Sequence, residues 1–472
     1  MRSFSRSVAG VALLTALGLG LAPLQAVVAA PLQAAAEQPV AIYHAFPQPY
    51  RELGCQGCGL ARQGYSHLQV SPAQLSSRGS EWWRRYQPID HSRLEGLGTA
   101  EDLRQLIDRA HRCQLRVIAD VVFNHMADLD GRPDQEDVRA FPGLSSSDFN
   151  ALSRPGDPLI RRPCEPDYAN NERRTELDCW LGTLPDLNFS ANVRARQKAH
   201  LLALLALGID GFRFDAAKHM PPAVVKEYID YVNAQSAGRS WNYLEVIEDH
   251  DTRAEDYNAI AAVTDFRLYR SLRRAFRFGG DLRSLPPEAL NDSRSVVFGQ
   301  NHDTIRELNP QHALDPYDDV GDADLATAYV LARQSGTPLV LDRDHRRAAY
   351  IPYGVTFRRI MAARGREGRN VRENVLRVVD SPLVLVMERG AEGFFVVNKG
   401  AGRFDQSVLD LTLTQLDGCY RELRNGFTVA IENRQGRKFV TRWGRWSRGG
   451  MELQGRDALY FIREPFDQCS AP

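Results

Sequence analysis

The chain has 472 residues, 43% of them hydrophobic and 25% charged, enough apolar material for one large core and a smaller second one; a disordered or fibrous chain is excluded. Lys and Arg total 59, as do Asp and Glu, so no net field holds the chain to nucleic acid or to an anionic membrane. Residues 1–36 read as a secretory signal peptide: Arg2 and Arg6, an apolar run from Val8 to about Leu24, then small residues ending in Ala34, Ala35 and Ala36. An uncleaved membrane anchor is the weaker reading, because the run is short and broken by Gly18, Gly20 and Pro23. A secreted or periplasmic location follows as the expectation, and with it a disulfide-permissive setting for seven cysteines. An odd count leaves one unpaired. Cys164 and Cys179 bracket a polar stretch that a crosslink would restrain, whereas Cys55 and Cys58 have no second pair to complete a zinc set.

From Ala41 to about Leu341, short β-rich runs alternate with helical patterns, the signature of a parallel sheet with crossover helices. Eight strands are predicted: AIYHAF from Ala41, YSHLQV from Tyr65, RVIADVVF from Arg116, GFRFD from Gly211, YLEVI from Tyr243, AVTDF from Ala262, SVVFGQN from Ser295 and TPLVL from Thr337. Leu103, Leu106, Ile107 and Ala110 fall at helical spacing, and a second helix from Asn192 to Leu207 ends at Gly208. The count favours an α/β chain folded as a (β/α)8 TIM barrel over an open sheet, since no GxGxxG follows the first strand. Residues 37–125 and 188–381 form this predicted barrel. Residues 126–187, polar and too long for an ordinary βα loop, are an inserted subdomain after the third strand. From 382 to 472 the period changes to two, with hairpin signals at Asn425-Gly426 and between Gly390 and Gly393, which predicts an antiparallel β-sandwich.

Barrel chemistry sits at the C-terminal strand ends, and four of these are rich in ionisable groups. In Gly211-Phe212-Arg213-Phe214-Asp215, period two sends Arg213 and Asp215 toward the axis and both phenylalanines to the helix layer. The guanidinium is expected to lower the Asp215 pKa and keep it ionised, as a nucleophile requires; a structural ion pair is the bland alternative. Glu245, flanked by Leu244 and Val246, is partly desolvated and suited to hold a proton, and Glu248 and Asp249 are its rivals. The seventh strand closes on Asn301-His302-Asp303, and the third delivers Asn124 and His125 to the mouth. Converging carboxylates with Arg and His, without a cysteine nucleophile or a phosphate loop, point to glycosidic bond cleavage. In Trp82-Trp83-Arg84-Arg85-Tyr86-Gln87, Trp83 or Tyr86 offers a face to a sugar ring, although one tryptophan is as readily buried under a loop.

Together these segments resemble the alpha-amylase family of glycoside hydrolases, nearest its animal-type members, over the chain from about Ala41 onward. Asp120 to His125, Leu184 to Asn188, Gly211 to His219, Leu244 to Ile247 and Phe298 to Asp303 carry the resemblance. It implies a secreted, retaining, endo-acting hydrolase of α-1,4-glucan in which Asp215 is nucleophile, Glu245 acid/base and Asp303 the third carboxylate. Trp83, Tyr86, Gln87, His125, Arg213 and His302 would bind sugar, with Lys218 and His219 on the leaving-group side. It also implies a structural calcium on the side chains of Asn124 and Asp186 and the carbonyls of Leu177 and His219, a donor set suited to a hard cation. Chloride is not expected: Arg213 and Asn301 match two ligands of the chloride-binding relatives, but Leu339 stands where a second arginine is needed. The resemblance leaves Cys113 paired with either Cys55 or Cys58. An exo-acting glucosidase, a glucanotransferase and a non-catalytic glycan-binding relative are the alternatives, and the implied partner is an α-glucan taken by a monomer, without nucleic acid or membrane.

Overall fold

The computed structural model describes residues 38–469 except 130, 133, 155, 170–172, 286–288, 291–293, 309, 311–312, 378–380, 407, 410–414, 435–436 and 444–450; the predicted signal peptide lies outside the described residues. Eight parallel strands close into a barrel: β1 (Ile42–Ala45), β2 (His67–Val70), β3 (Arg116–Val122), β4 (Gly211–Asp215), β5 (Tyr243–Leu244), β6 (Ala262–Thr264), β7 (Ser295–Val297) and β8 (Thr337–Leu341). All eight are the predicted ones, several shortened. The β5 ladder stops at Leu244 because the Thr264 hydroxyl, not a backbone carbonyl, takes the Val246 amide at 3.0 Å. β6 stops at Thr264 because Asp265 caps the helix Phe266–Phe276, its carboxylate accepting the Leu268 amide. Past β7, Gly299 lies so close to Thr327 that a Cβ would meet its hydroxyl at 2.2 Å. Extended pairing gives way there to a close approach that only glycine permits.

The helices coat the barrel as their periodicity requires. In Ala100–Arg112, Leu103, Leu106, Ile107 and Ala110 are all buried, and Thr99 and Asp102 form a capping box at its start. Ala191–Leu207 starts on Ser190 and ends on Gly208 at φ 101°, the left-handed C-terminal stop. Phe214 turns outward onto Tyr228 of the next helix, with ring centroids 6.5 Å apart and planes within 6°. Disulfides join Cys58 to Cys113, Cys164 to Cys179 and Cys419 to Cys469, and Cys55 is the exposed free thiol. No described helix is long and apolar enough to cross a membrane.

The C-terminal part is an eight-stranded antiparallel sheet that begins at Glu373–Arg377, ahead of Pro382, with a two-stranded sheet (Phe404–Gln406 with Met451–Leu453) beside it. Both faces of its central strands are buried, so period two sorts one run into two cores. Leu385, Met387, Phe395, Val397, Tyr460 and Ile462 join the barrel core, whereas Val384, Val386, Phe394, Val396 and Phe461 form a second cluster with Leu453. Polar groups cross the same junction. Arg389 donates to the carbonyls of Ala332 and Arg333 at 2.9 and 3.0 Å, Lys399 to those of Ala275 and Arg277 at 2.8 and 3.0 Å, and the Tyr460 hydroxyl to that of Ala328 at 3.0 Å. The carbonyls of Ala275, Arg277, Ala332 and Arg333 lie in the last turn of a barrel helix or just beyond it, where carbonyls lack partners within the helix, whereas that of Ala328 lies one turn earlier.

Candidate active site

At the C-terminal mouth of the barrel lies a cavity of about 560 Å³, onto which Asp215, Glu245 and Asp303 all open. The register explains the meeting: Arg213 of β4 sits beside Asp120 of β3 on one side and Tyr243 of β5 on the other, and the Glu245 amide bonds to the Phe214 carbonyl. Arg213 is the hub. Its Nη1 donates to both Asp120 oxygens at 2.9 Å and to Asp215 Oδ1 at 2.6 Å, and its Nη2 pairs with Glu245 Oε1. Immediately after β4, Ala216 adopts φ 46°, a left-handed conformation costly for a residue with a Cβ, and its amide then donates to Glu245 Oε2 at 2.9 Å.

One guanidinium among so many carboxylates cannot offset their burial. Burial pushes Asp215 well above the ordinary carboxylate range; Arg213 pulls it down, while Glu245 and Asp120 add to the rise. The expectation that Arg213 keeps Asp215 at a lowered pKa is therefore corrected in direction, because loss of hydration outweighs the ion pair. Asp303 is raised for the same first cause, with Glu245 next, and burial lifts Asp120 to about 6. Burial also lowers the histidines, His125 to about 4, His219 to about 3 and His302 well below its usual value, so all three are neutral near pH 7.

The remaining predicted residues fall around the same cavity. Tyr86 stacks on His302 at 5.3 Å and donates its hydroxyl to Asp120 at 2.9 Å. His125 bonds to the Tyr86 carbonyl at 3.0 Å, and Gln87 accepts from Ser77. Of the two tryptophans, Trp82 packs on Phe46 and donates to the Leu308 carbonyl, whereas Trp83 is 46% exposed at the rim. Lys218 and His219 line the opening with Ile247. Glu248 is occupied elsewhere, by Arg267 and the Ala254 amide, and Asn301 caps its own turn through the amides of Asp303 and Thr304. Leu339 is buried and apolar. Sequence reasoning did not single out Tyr168, Arg270 or Leu314 for the lining, nor His44 beneath His302 at 5.1 Å. Tyr168 was hidden in a polar run; its one signal was being aromatic there.

Beside the cleft, the start of the insertion lies antiparallel to its end: the Leu187 amide bonds to the Asn124 carbonyl and the Met126 amide to that of Pro185. This brings Asn124 and Asp186 together, both fully buried. Asn124 Oδ1 and Asp186 Oδ1 have no hydrogen-bond partner, and burial raises Asp186 well above its usual pKa. The amide of Asn150, a residue the sequence did not flag, bridges Asp186 Oδ2 at 2.8 Å and the Leu177 carbonyl at 3.4 Å; His219 Nδ1 reaches the neighbouring Glu176 carbonyl at 3.0 Å. Among the described residues no three His, Cys, Asp or Glu side chains cluster as metal ligands. This set is instead one carboxylate, one amide oxygen and nearby carbonyls, oxygen chemistry that fits a hard cation.

Residues 82–267 match the model of the alpha-amylase catalytic domain. An alpha-amylase-related protein of Drosophila bakoue is 33% identical over 305 residues, 60% of each chain, and an alpha-amylase of Streptomyces violaceus is 31% identical over 297 residues, 59% of this chain and 48% of that one. The chain thus matches about three fifths or less of these relatives' length. Among solved structures, alpha-amylase I of Eisenia fetida superposes with a TM-score of 0.70 at 20% identity, covering 89% of this chain and 99% of that one; a mutant of it was solved with maltohexaose. An alpha-amylase of Geobacillus thermoleovorans gives 0.63 at 17% identity over 90% of this chain and 98% of that one.

Proposed function

We propose that this chain, whose segment 82–267 belongs to the alpha-amylase catalytic-domain family, is a secreted, retaining, endo-acting hydrolase of α-1,4-glucosidic bonds in starch-like glucans. The observation that carries the reading is the convergence of Asp215, Glu245 and Asp303, from three different strand ends, on one cavity. Asp215 attacks the anomeric carbon while Glu245 gives its proton to the departing oxygen; Glu245 then takes a proton from water, which frees the sugar from Asp215. Asp215 and Glu245 grip the two terminal nitrogens of one guanidinium, which favours the short carboxyl spacing, about 5–5.5 Å, of retaining chemistry. Asp303, with His302 Nε2 at 3.4 Å, is placed to bind ring hydroxyls, and neutral His125 and His302 donate or accept at sugar oxygens without adding charge. Trp83 and Tyr86 offer ring faces. Asn124, Asp186 and the carbonyls of Leu177 and His219 would hold a calcium ion, which would fix the insertion as one wall of the cleft.

A reducing-sugar assay on soluble starch tests the reading. Wild-type protein should release mixed short oligomers early from amylose, and Glu245→Gln should lower kcat by about 10²–10⁴-fold. An Asp215→Asn variant with unchanged activity would remove Asp215 as nucleophile. Glucose alone as the early product would point to exo attack, and cyclic or elongated products to glucan transfer.

A further inference from the structure

Lys218 is pinned at the cleft. Its Nζ pairs with Asp249, lies 3.8 Å from Glu176 Oε1 and sits 4.6 Å from the centre of the Tyr168 ring. These contacts come from three parts of the chain: Lys218 from the turn after β4, Asp249 from the loop after β5, and Tyr168 and Glu176 from the insertion. Asp249 is itself immobilised, because its Oδ1 accepts the amides of Asp251 at 3.1 Å and Thr252 at 2.9 Å, while its Oδ2 accepts from the ammonium. Glu176, fully buried, gives its Oε2 to Thr252 and Arg173. A lysine with four rotatable bonds donates in a fixed direction only when held. With one N–H on Asp249 and the cation over the Tyr168 face, further donors remain for a hydroxyl in the cleft.

We propose that Asp249 is a positioning residue for the leaving-group half of the reaction, holding the Lys218 ammonium where the hydroxyls of the departing sugar bind. This rests on reading the site as glucan-cleaving. It sets Asp249 apart from Glu248, its neighbour, which is spent on Arg267, and makes the insertion and the barrel joint owners of acceptor binding.

The test compares maltopentaose, which fills the acceptor side, with α-maltotriosyl fluoride, whose leaving group is too small to reach Lys218. Asp249→Asn keeps the side-chain shape and an acceptor for the two amides. It should lower kcat/KM on maltopentaose at least tenfold, mainly through KM, and leave the fluoride within twofold. Asp249→Asn combined with Lys218→Met should be no worse than Lys218→Met alone, since both remove one interaction. Equal losses on both substrates, no loss on either, or additive losses in the double variant would overturn the proposal. Wild-type protein inactive on both substrates would overturn the glucan-hydrolase reading, and this inference with it.

Discussion

Arg213 compensates three acids from a position that is 3% exposed. Replacing it by Met strands Asp120, Asp215 and Glu245 in a space poor in water, and removal of one partner of a buried pair costs about 3–5 kcal/mol. Urea denaturation should register a loss of that order, alongside loss of starch hydrolysis. As the proposed nucleophile, Asp215 must be ionised to attack, and burial has raised its pKa, so kcat/KM should fall as acid is added from a pH well above the ordinary carboxylate range. A pH–rate profile with an acid limb near pH 4 would contradict this. At this scale the sequence told which way side chains face and not how deeply they are buried. Period two placed Arg213 and Asp215 on one face, but the sign of the Asp215 shift depends on desolvation, which only the assembled barrel mouth supplies. Nor could it announce that Ala216, an alanine, would take a left-handed conformation to present its amide to Glu245.

The insertion shows which parts of an element are legible. Its polar character and its Cys164–Cys179 bridge follow from length and composition, whereas the placement of Tyr168 over Lys218 and of Asn150 against Asp186 depends on how the loops cross. Strand lengths suffered likewise: the apolar run after Leu244 looks extended, yet the Thr264 hydroxyl ends the ladder. Chelation by EDTA should lower the melting temperature and open residues 126–187 to protease, with calcium restoring both; Asp186→Ala should abolish the shift, because it deletes the carboxylate whose Oδ1 lacks a partner. Replacing Cys164 and Cys179 by Ser should cost up to about 3 kcal/mol, the loop-closure value for a crosslink of this span, read as faster nicking of the insertion.

Over the whole molecule, barrel and C-terminal sheet were readable from changes of period, because parallel strands, helices and antiparallel strands each leave a distinct spacing of apolar residues, and the insertion from its length and polar composition. What the spacing could not reveal is a second buried charge network at the β8 end. Asp344 accepts from Gln300 at 2.5 Å and from Arg347 at 2.9 Å, while Arg347 also holds Asp324. Burial first, then Asp324, lifts Asp344 to about 7, against about 4 for an unfolded aspartate. Between those values the folded chain binds the extra proton, so this group's contribution to stability falls as pH rises from about 4 to about 7. Asp344→Asn should flatten that slope, measured as the wild-type minus variant difference in unfolding free energy across the window.

The way the C-terminal sheet serves the barrel has a practical corollary for anyone wanting a smaller catalyst. Arg389 and Lys399 are the partners of carbonyls at the ends of Val320–Ala332 and Phe266–Phe276, and Tyr460, itself packed on Phe395, covers Phe357 on the apolar side of Ile351–Arg366. Trimming the gene to its first eight strands would uncap two helices and bare a greasy flank at once. The shortened product should collect in inclusion bodies, and a compact version will have to be resurfaced along that seam before it is cut.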